Sequence, residues 1–384
     1  MAGWRPTKGR DAEQGAAVAA VLAMADADPA RTTTRLWRPR RVLITRAARE
    51  WAHGLAMAER CAALGIPVTE LSGNQLRLPP EADERKAYAA AKQTLAITVA
   101  PPSKLKLQPI APSADWRVDL AEGCPAHCNY CYLAGSLTGP PVTRAYANLP
   151  EILGVLPGYL GQGRITSRSR TRADEGTTFE ASCYTDPLAL EHLTGSLGAL
   201  ITAFGEWEAP VQLRFTSKFA AVEPLLGLTH HGRTRMRASV NPPAYARFEG
   251  GTDPVARRLA ALRRMAEAGY PVGLTVAPII AAAGWQEAYG SLIADAGAAL
   301  GDVPGLDLTV ELITHRFTPG SREVLQSWYP GSDLEMDPSL RAEKRTKFGS
   351  VKFVYPPALM SELKSWFHAR IAEELPAARI LYWT

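Results

Sequence analysis

The chain reads as an α/β protein, a partial (β/α)6 barrel preceded by a smaller N-terminal βαβ domain. From Trp116 onward, six apolar or alternating segments, 116–123, 177–183, 211–218, 233–241, 272–279 and 306–314, are separated by helix-prone stretches. That alternation predicts parallel strands joined by crossover helices. Six such units fall short of the eight that close a complete barrel, so the sheet is expected to stay open, with an ordinary doubly wound sheet as the alternative. Several strands also alternate charge with apolarity. Arg233, Arg235, Arg237, Ser239 and Asn241 share one face, with Thr234, Met236, Ala238 and Val240 on the other. Gln212, Arg214, Thr216 and Lys218 alternate in the same way, as do Asp307, Thr309 and Glu311. With helices over the apolar sides, the polar sides line a concave interior, where buried charges must be paired.

Taken in order, residues 1–36 mix Gly, Ala, Asp, Arg and Thr with little periodicity and read as a mobile extension, in which Ala16–Ala25 is a candidate short helix. Arg41–Thr45 predicts a buried strand, Ala47–Leu64 a helix ended by Gly65, and Pro67–Leu71 a second strand. Met57, Cys61 and Leu64 fall on one helix face, so Cys61 reads as a core residue. Residues 83–94 are helix-prone and Thr94–Val99 a strand, and Pro101, Pro102, Pro109 and Pro112 mark a connector. The expected division is therefore 37–112 and 113–384. In the second part, helix 254–268 has Asp253 as N-cap, Pro254 in its first turn, apolar Val255, Leu259, Leu262 and Ala266, and Gly269 as terminator. Its Arg257, Arg258, Arg263 and Arg264 read as a solvated face.

With 384 residues, 46% of them hydrophobic, the chain can bury a large core. Five cysteines, three of them clustered, do not make a disulfide framework and suit a reducing compartment. No apolar run approaches a membrane span and no signal-peptide core is evident, so a cytoplasmic protein with no membrane partner is expected. A net charge of +5 permits a polyanionic partner without demanding one. Arg31, Arg35, Arg38, Arg40 and Arg41 form one cluster, and Arg164, Arg168, Arg170 and Arg172 another. Both read as solvated loops, with nucleic-acid contact as the alternative.

Chemistry concentrates in Cys124-Pro-Ala-His-Cys128-Asn-Tyr-Cys131, just after the first barrel strand. Three thiolates in one loop suit an iron–sulfur cluster that keeps one iron open to a small molecule. A Cys₃His zinc site using His127 is the alternative, an awkward one because His127 and Cys128 are adjacent. Functional groups of parallel βα folds gather at the C-terminal ends of strands. Here those ends carry Cys124, Cys183, Lys218 and Asn241, with His315 just beyond. Cys183 is open to three readings: a fourth cluster ligand, a packing thiol or a reactive thiol.

The Cys124-x₃-Cys128-x₂-Cys131 loop, with an aromatic residue before its last cysteine, resembles the cluster loop of the radical S-adenosylmethionine (radical-SAM) superfamily. Glu122–Leu133, Phe179–Asp186 with Glu191–Thr194, Leu213–Lys218, Arg235–Asn241, Ala268–Tyr270 with Val276–Ile279, and Glu311–Thr318 more narrowly resemble the spore photoproduct lyase family. The likeness runs from about residue 37 to the C-terminus. It implies a radical-SAM partial barrel with a 4Fe-4S cluster on Cys124, Cys128 and Cys131, and S-adenosyl-L-methionine at the open iron. The implied activity is a DNA repair lyase that reverts spore photoproduct (5-thyminyl-5,6-dihydrothymine) to two thymines through a 5′-deoxyadenosyl radical. The resemblance makes Cys183 the hydrogen-atom donor and Tyr130 and Tyr132 radical relays, and sets Tyr132, Thr185, Lys218, Ser239 and Asn241 near the cofactor. Lys218 becomes a candidate partner for the methionine carboxylate.

The partners implied are DNA containing a thymine dimer lesion and an electron donor such as flavodoxin or ferredoxin. Arg345–Tyr355 resembles the family's lesion-probing hairpin, with Lys347, Phe348 and Lys352 towards DNA. Lys347-Phe348 stands where an Arg-Tyr pair is usual. The common glycine-rich stretch of the superfamily is absent, and Gly161–Gly176 is longer than the family's linker. These departures leave open a radical enzyme of the same build acting on a different nucleic-acid lesion or another substrate.

Overall fold

The computed structural model describes residues 36–79, 81–135, 141–166, 169–345, 349 and 351–384. The expected extension, apart from Leu36, lies outside them, as do Arg168, Lys347 and Phe348. The first strands are β1 (Arg41–Ile44), β2 (Val68–Glu70) and β3 (Thr94–Thr98). β1 pairs in parallel with both neighbours, and the helix Ala52–Ala63 makes the crossover from β1 to β2. Met57 and Cys61 are fully buried in a core with Val42, Ile44, Leu95 and Ile97, as their helical spacing requires.

Next come β4 (Gln108–Ile110), β5 (Ala114–Val118), β6 (Ala121–Glu122), β7 (His127–Cys128) and β8 (Thr143–Tyr146). β8 and β6 complete the N-terminal sheet in the order β2-β1-β3-β8-β6, so two of its five strands come from beyond Pro112. The division at residue 112 follows the proline connector and not the hydrogen bonding. The segment read as one strand, 116–123, breaks after Val118, and its end leaves the barrel for the N-terminal sheet. Gly123, just past β6, lets the chain turn into the cysteine loop close against the segment leading into β8: its φ is +77°, and a Cβ there would lie 2.4 Å from the Val142 carbonyl oxygen. The cysteine loop therefore hangs between the two sheets.

The remaining strands are β9 (Thr177–Ala181), β10 (Val211–Ser217), β11 (Thr234–Val240), β12 (Glu249–Gly250), β13 (Val272–Ile279), β14 (Leu308–Thr314), β15 (Ala342–Arg345), β16 (Val351–Val354) and β17 (Arg379–Trp383). The main sheet is curled, open and eight-stranded, in the order β17-β14-β13-β11-β10-β9-β5-β4. Every neighbour pair from β5 to β17 is parallel, and only β4 runs antiparallel. The six expected strands are all present; β17 adds a parallel edge and β4 an antiparallel one.

The polar strand faces do point inward. Arg237 Nη1 donates to both carboxylate oxygens of Glu311, at 2.6 and 2.8 Å, and its other arm meets Glu180. Arg214 is wholly buried, 2.5 Å from Glu175 and bonded to the Ser113 carbonyl at 3.0 Å. Met236, Ala238 and Val240, on the other face of β11, are buried with the covering helices. No single helix among the described residues is long and apolar enough to cross a membrane, and the bent pair Pro187–Thr194 and Ser196–Gly205 is buried between the two cores, Leu190 and Leu193 in the N-terminal one and the rest of its apolar face in the barrel's.

Three expectations are corrected. Arg172 is no solvated residue: it is buried, bonds Glu175 at 2.8 Å and caps the Pro112 and Ser113 carbonyls, because its short helical segment closes over the end of the interior. Arg258 is buried too, in contact with Glu249 at 2.6 Å, since its face of the helix turns towards the strand ends. Asp253 does not cap that helix with its side chain; its carboxylate accepts from the Ala220 amide at 2.9 Å.

The ionic interior predicts a large asymmetry in mutational effect. Glu175→Ala deprives two buried guanidiniums of a counter-charge and should lower stability by about 3–5 kcal/mol. Glu373→Ala, which removes an exposed partner of Arg370, should cost less than about 1 kcal/mol. Urea midpoints measure both, and equal losses would refute the account.

Candidate active site

The C-terminal strand ends surround a chamber of about 510 Å³. One wall is the cysteine loop, with Cys124, Cys128, Cys131, Tyr130 and Tyr132; Cys183 and Thr185 follow from the end of β9, Lys218 from β10 and Ser239 from β11. Arg237, Glu180, Glu311 and Tyr382 lie deeper, and His315 and Arg316 stand at the end of β14. All five cysteines are free.

The loop is held from both sides. β7 pairs antiparallel with β12, setting Cys128 opposite Glu249, and the Asn129 amide donates to the Phe248 carbonyl at 2.9 Å. From the N-terminal sheet, buried Lys92 inserts its ammonium between the carbonyl oxygens of Cys124 and Ala126 and donates to both. Burial pushes the Cys124 and Cys128 thiols up to about 12 and Cys131 to about 11. Lys92 opposes the shift at all three, and Lys218 does so more strongly at Cys128. Thiols so placed ionise readily only when a cation or cluster takes up the charge.

His127 belongs elsewhere. Its Nδ1 lies 3.1 Å from the Tyr88 hydroxyl, its ring packs edge-on against Tyr88, and burial lowers its pKa to about 4. It does not line the chamber. The Cys₃His alternative therefore lacks its fourth arm, and among the described residues no three His, Cys, Asp or Glu side chains are arranged around a single metal ion.

Behind the loop, Glu249 is the point of convergence. Lys218 Nζ lies 2.8 Å and Arg258 Nη2 2.6 Å from its carboxylate, Asn241 Nδ2 donates at 3.1 Å, and the Tyr130 hydroxyl donates as well. Burial opposes ionisation, yet Lys218 and Arg258 hold the Glu249 pKa down at about 2. Lys218 thus reaches the chamber wall with its charge already matched inside the protein. Asn241 stands one layer back, between Glu249 and the Tyr289 hydroxyl, and is absent from the lining. Asp186 fixes the approach of Lys218 by accepting from its amide and from Ser217 Oγ, both at 2.8 Å.

Cys183 reaches the chamber through a turn. Ser182 has φ +54°, unusual for a non-glycine residue, and the turn is held by its amide to the Val118 carbonyl at 2.7 Å and by the Leu120 amide to its Oγ at 3.1 Å. Burial, with Glu180 and Asp119 adding to it, pushes the Cys183 thiol well above its usual range. Tyr132 is 64% exposed towards the open chamber, and its hydroxyl donates to the Cys183 carbonyl. Thr185 Oγ1 is buried on the chamber wall with no protein partner. Three free thiols on one wall beside an unpartnered hydroxyl fit a cluster with a polar small molecule next to it.

The structure brings together every expected cluster and chamber residue except Asn241, which stands behind; Lys352, on β16, is outside the lining but near its Arg316. Sequence reasoning missed Lys92, Tyr88, Glu249 and Arg258. Lys92 ends an unremarkable helix, and Arg258 is one of four arginines on another. Only the isolated acid in Phe248-Glu249-Gly250-Gly251 was a usable signal, since its neighbours predict a tight turn.

The sequence profile of the spore photoproduct lyase family matches residues 37–384. The spore photoproduct lyases of Bacillus subtilis and of a Geobacillus species are each 36% identical to this chain over 348 residues, covering 90% of it and 98% of the relative. That of Clostridium acetobutylicum is 28% identical over 344 residues. Among solved structures, a substituted spore photoproduct lyase with bound AdoMet and dinucleoside spore photoproduct superposes with a TM-score of 0.84 at 35% identity, covering 91% of this chain and 100% of the other. A spore photoproduct lyase complexed with dinucleoside spore photoproduct gives 0.83.

Lys92→Met should leave two buried carbonyls without a donor, at a cost of about 2 kcal/mol, and remove the cation that favours the thiolates. In metal-free protein the loop cysteines should then alkylate more slowly with iodoacetamide at pH 8–9. An unchanged rate and an unchanged urea midpoint would show that the contact is idle.

Proposed function

The chain belongs to the spore photoproduct lyase family, and from that premise we infer that its chamber reverts spore photoproduct in DNA to two thymines. The observation that carries the reading is that three thiols of one loop and a separate thiol, Cys183, line the same chamber, the last in surroundings that favour its neutral form. Cys124, Cys128 and Cys131 would hold a 4Fe-4S cluster, and Thr185, Lys218 and Ser239 would bind S-adenosyl-L-methionine, with Asn241 and Glu249 steadying Lys218. When bound, cluster and S-adenosyl-L-methionine supply the 5′-deoxyadenosyl radical that takes a hydrogen atom from the lesion.

The later hydrogen transfers fall to the protein's own side chains. A thymine radical left after the methylene bridge breaks takes a hydrogen atom from Cys183: the S–H bond breaks, a C–H bond forms, and the sulfur is left one electron short. Only the protonated thiol can do this, and the environment of Cys183 keeps it protonated. Tyr132, whose hydroxyl bonds the carbonyl of the same cysteine, returns a hydrogen atom to the sulfur, and Tyr130 is the second relay; the Tyr132 contact supports this reading. The Tyr130 hydroxyl is anchored on Glu249 and that of Tyr132 on the Cys183 carbonyl, so each phenol has a fixed partner. The electron donor is a small protein such as flavodoxin or ferredoxin, and the compartment is the cytoplasm. Lys352 contacts DNA from the hairpin, whose tip at Lys347 and Phe348 lies outside the described residues.

Reconstituted protein, given dithionite and S-adenosyl-L-methionine, should convert the dinucleotide lesion to thymidylyl-thymidine on chromatography. An intact cluster without turnover would remove the assignment. Cys183→Ala should keep iron and cofactor cleavage while thymine yield falls by at least about tenfold in favour of side products; lost iron would make Cys183 a ligand instead. Because the thiol's pKa lies above its ordinary value, its neutral form persists as pH rises. Thymine formed per lesion consumed should therefore stay level from pH 7 to 9, and a decline over that range would contradict the placement.

A further inference from the structure

The β15–β16 hairpin sets two lysines face to face. In its register Lys344 stands opposite Lys352, while Glu343 faces Phe353 and Arg345 faces Val351. Directly opposed side chains share a face, and like charges so placed repel. The hairpin is docked on the barrel by a bridge, with the Phe353 amide donating to the Phe317 carbonyl at 2.8 Å and the return bond at 3.2 Å. The two rings pack with centroids 5.3 Å apart. Side chains alternate along extended backbone, so Arg316 takes the face opposite those rings, which is the face of Lys344 and Lys352. Arg316 also lines the chamber.

These cations are unmatched. Among the described residues none of the three forms an ion pair, whereas nearby Arg341 and Arg345 meet Glu335 and Glu343. Burial lowers the pKa of Lys352, and the charges of Arg316 and Lys344 lower it further, as three cations within reach of one another require. A repulsive cluster beside a chamber is relieved by an anion. Phosphodiesters suit it, since guanidinium binds phosphate through paired donors and each neutralised phosphate releases counterions.

We propose that Arg316, Lys344 and Lys352 form a phosphodiester site that grips the lesion-bearing strand while its joined bases occupy the chamber. This rests on the reading of the chamber as the lesion site. It is separate from the hairpin tip, and it gives the protein a means to prefer a lesion in a nucleic-acid strand over the joined nucleosides alone.

A dinucleoside lesion has no phosphate, and a dinucleotide lesion has one, so calorimetric dissociation constants for the two, measured without reductant, isolate the site. Wild-type protein should bind the dinucleotide about tenfold more tightly, and Arg316→Gln/Lys344→Gln/Lys352→Gln should bring the ratio to about one. A ratio unchanged by the triple substitution overturns the proposal. A ratio near one already in wild type, with a preference for a longer lesion-bearing oligonucleotide that the substitutions abolish, supports the same site with a flanking phosphate as occupant. If wild type binds neither lesion form and turns over neither, the lesion reading fails. The cation site is then judged by whether the substitutions lower the salt slope for lesion-free oligonucleotide, by about one per cation removed. At low salt Lys352→Gln should melt no lower than wild type, because it relieves repulsion; a drop of several degrees would mark the lysines as structural and overturn the proposal.

Discussion

One buried carboxylate organises this molecule. Glu249 gathers Lys218 from the end of β10, Asn241 from just beyond β11, Arg258 from the next helix in the chain, and Tyr130 from the cysteine loop. Its backbone pairs with Cys128 at the same time. A lone buried carboxylate would be prohibitively unstable, and removing one partner of a buried pair is strongly destabilising. The mutual need of these groups therefore fixes the loop's distance from the barrel, alongside the apolar packing of Ala126, Cys128 and Ala134 against the core. The arrangement also holds the Lys218 ammonium at the chamber wall, where it donates to Glu249 at 2.8 Å and to the Ala277 carbonyl at 3.2 Å.

The interior obeys the same logic on a larger scale. Arg214 and Arg237, with Glu175, Glu180 and Glu311, replace the hydrocarbon layers that fill a closed barrel. An open sheet whose concave side must stay polar enough for a charged cofactor cannot be filled with Leu and Val. Tyr382, on the C-terminal edge strand, joins the network through Glu311 at 3.0 Å, so the last strand is tied to the middle of the sheet. Charge pairs are directional, and they hold a chamber open where dispersion contacts would close it.

Much of this was legible in the sequence because it is periodic or compact. The alternation of Arg235, Arg237 and Ser239 with apolar neighbours set the inward face of β11, and the spacing of Cys124, Cys128 and Cys131 marked the loop. What stayed hidden depends on contacts between distant segments. Arg258 and Arg172 look like surface cations because nothing in their own helical stretches shows that Glu249 and the Ser113 carbonyl turn towards them. Lys92 is legible only once the N-terminal sheet is known to reach the loop. The break after Val118 hid for a different reason: Ala121 and Glu122 continue a plausible strand pattern while their hydrogen bonds belong to another sheet.

The reach of Lys92 across that boundary bears on how such proteins can change over time. Among the described residues none before Ile110 lines the chamber, yet the loop's carbonyls are gripped by the helix Glu84–Lys92. A unit that touches no reactant is thereby bound to the inheritance of the unit that does. Recombination between relatives can exchange strands and crossover helices within the barrel, but a barrel moved without its N-terminal partner arrives with its loop held from one side only. The two sheets have to evolve as one heritable block.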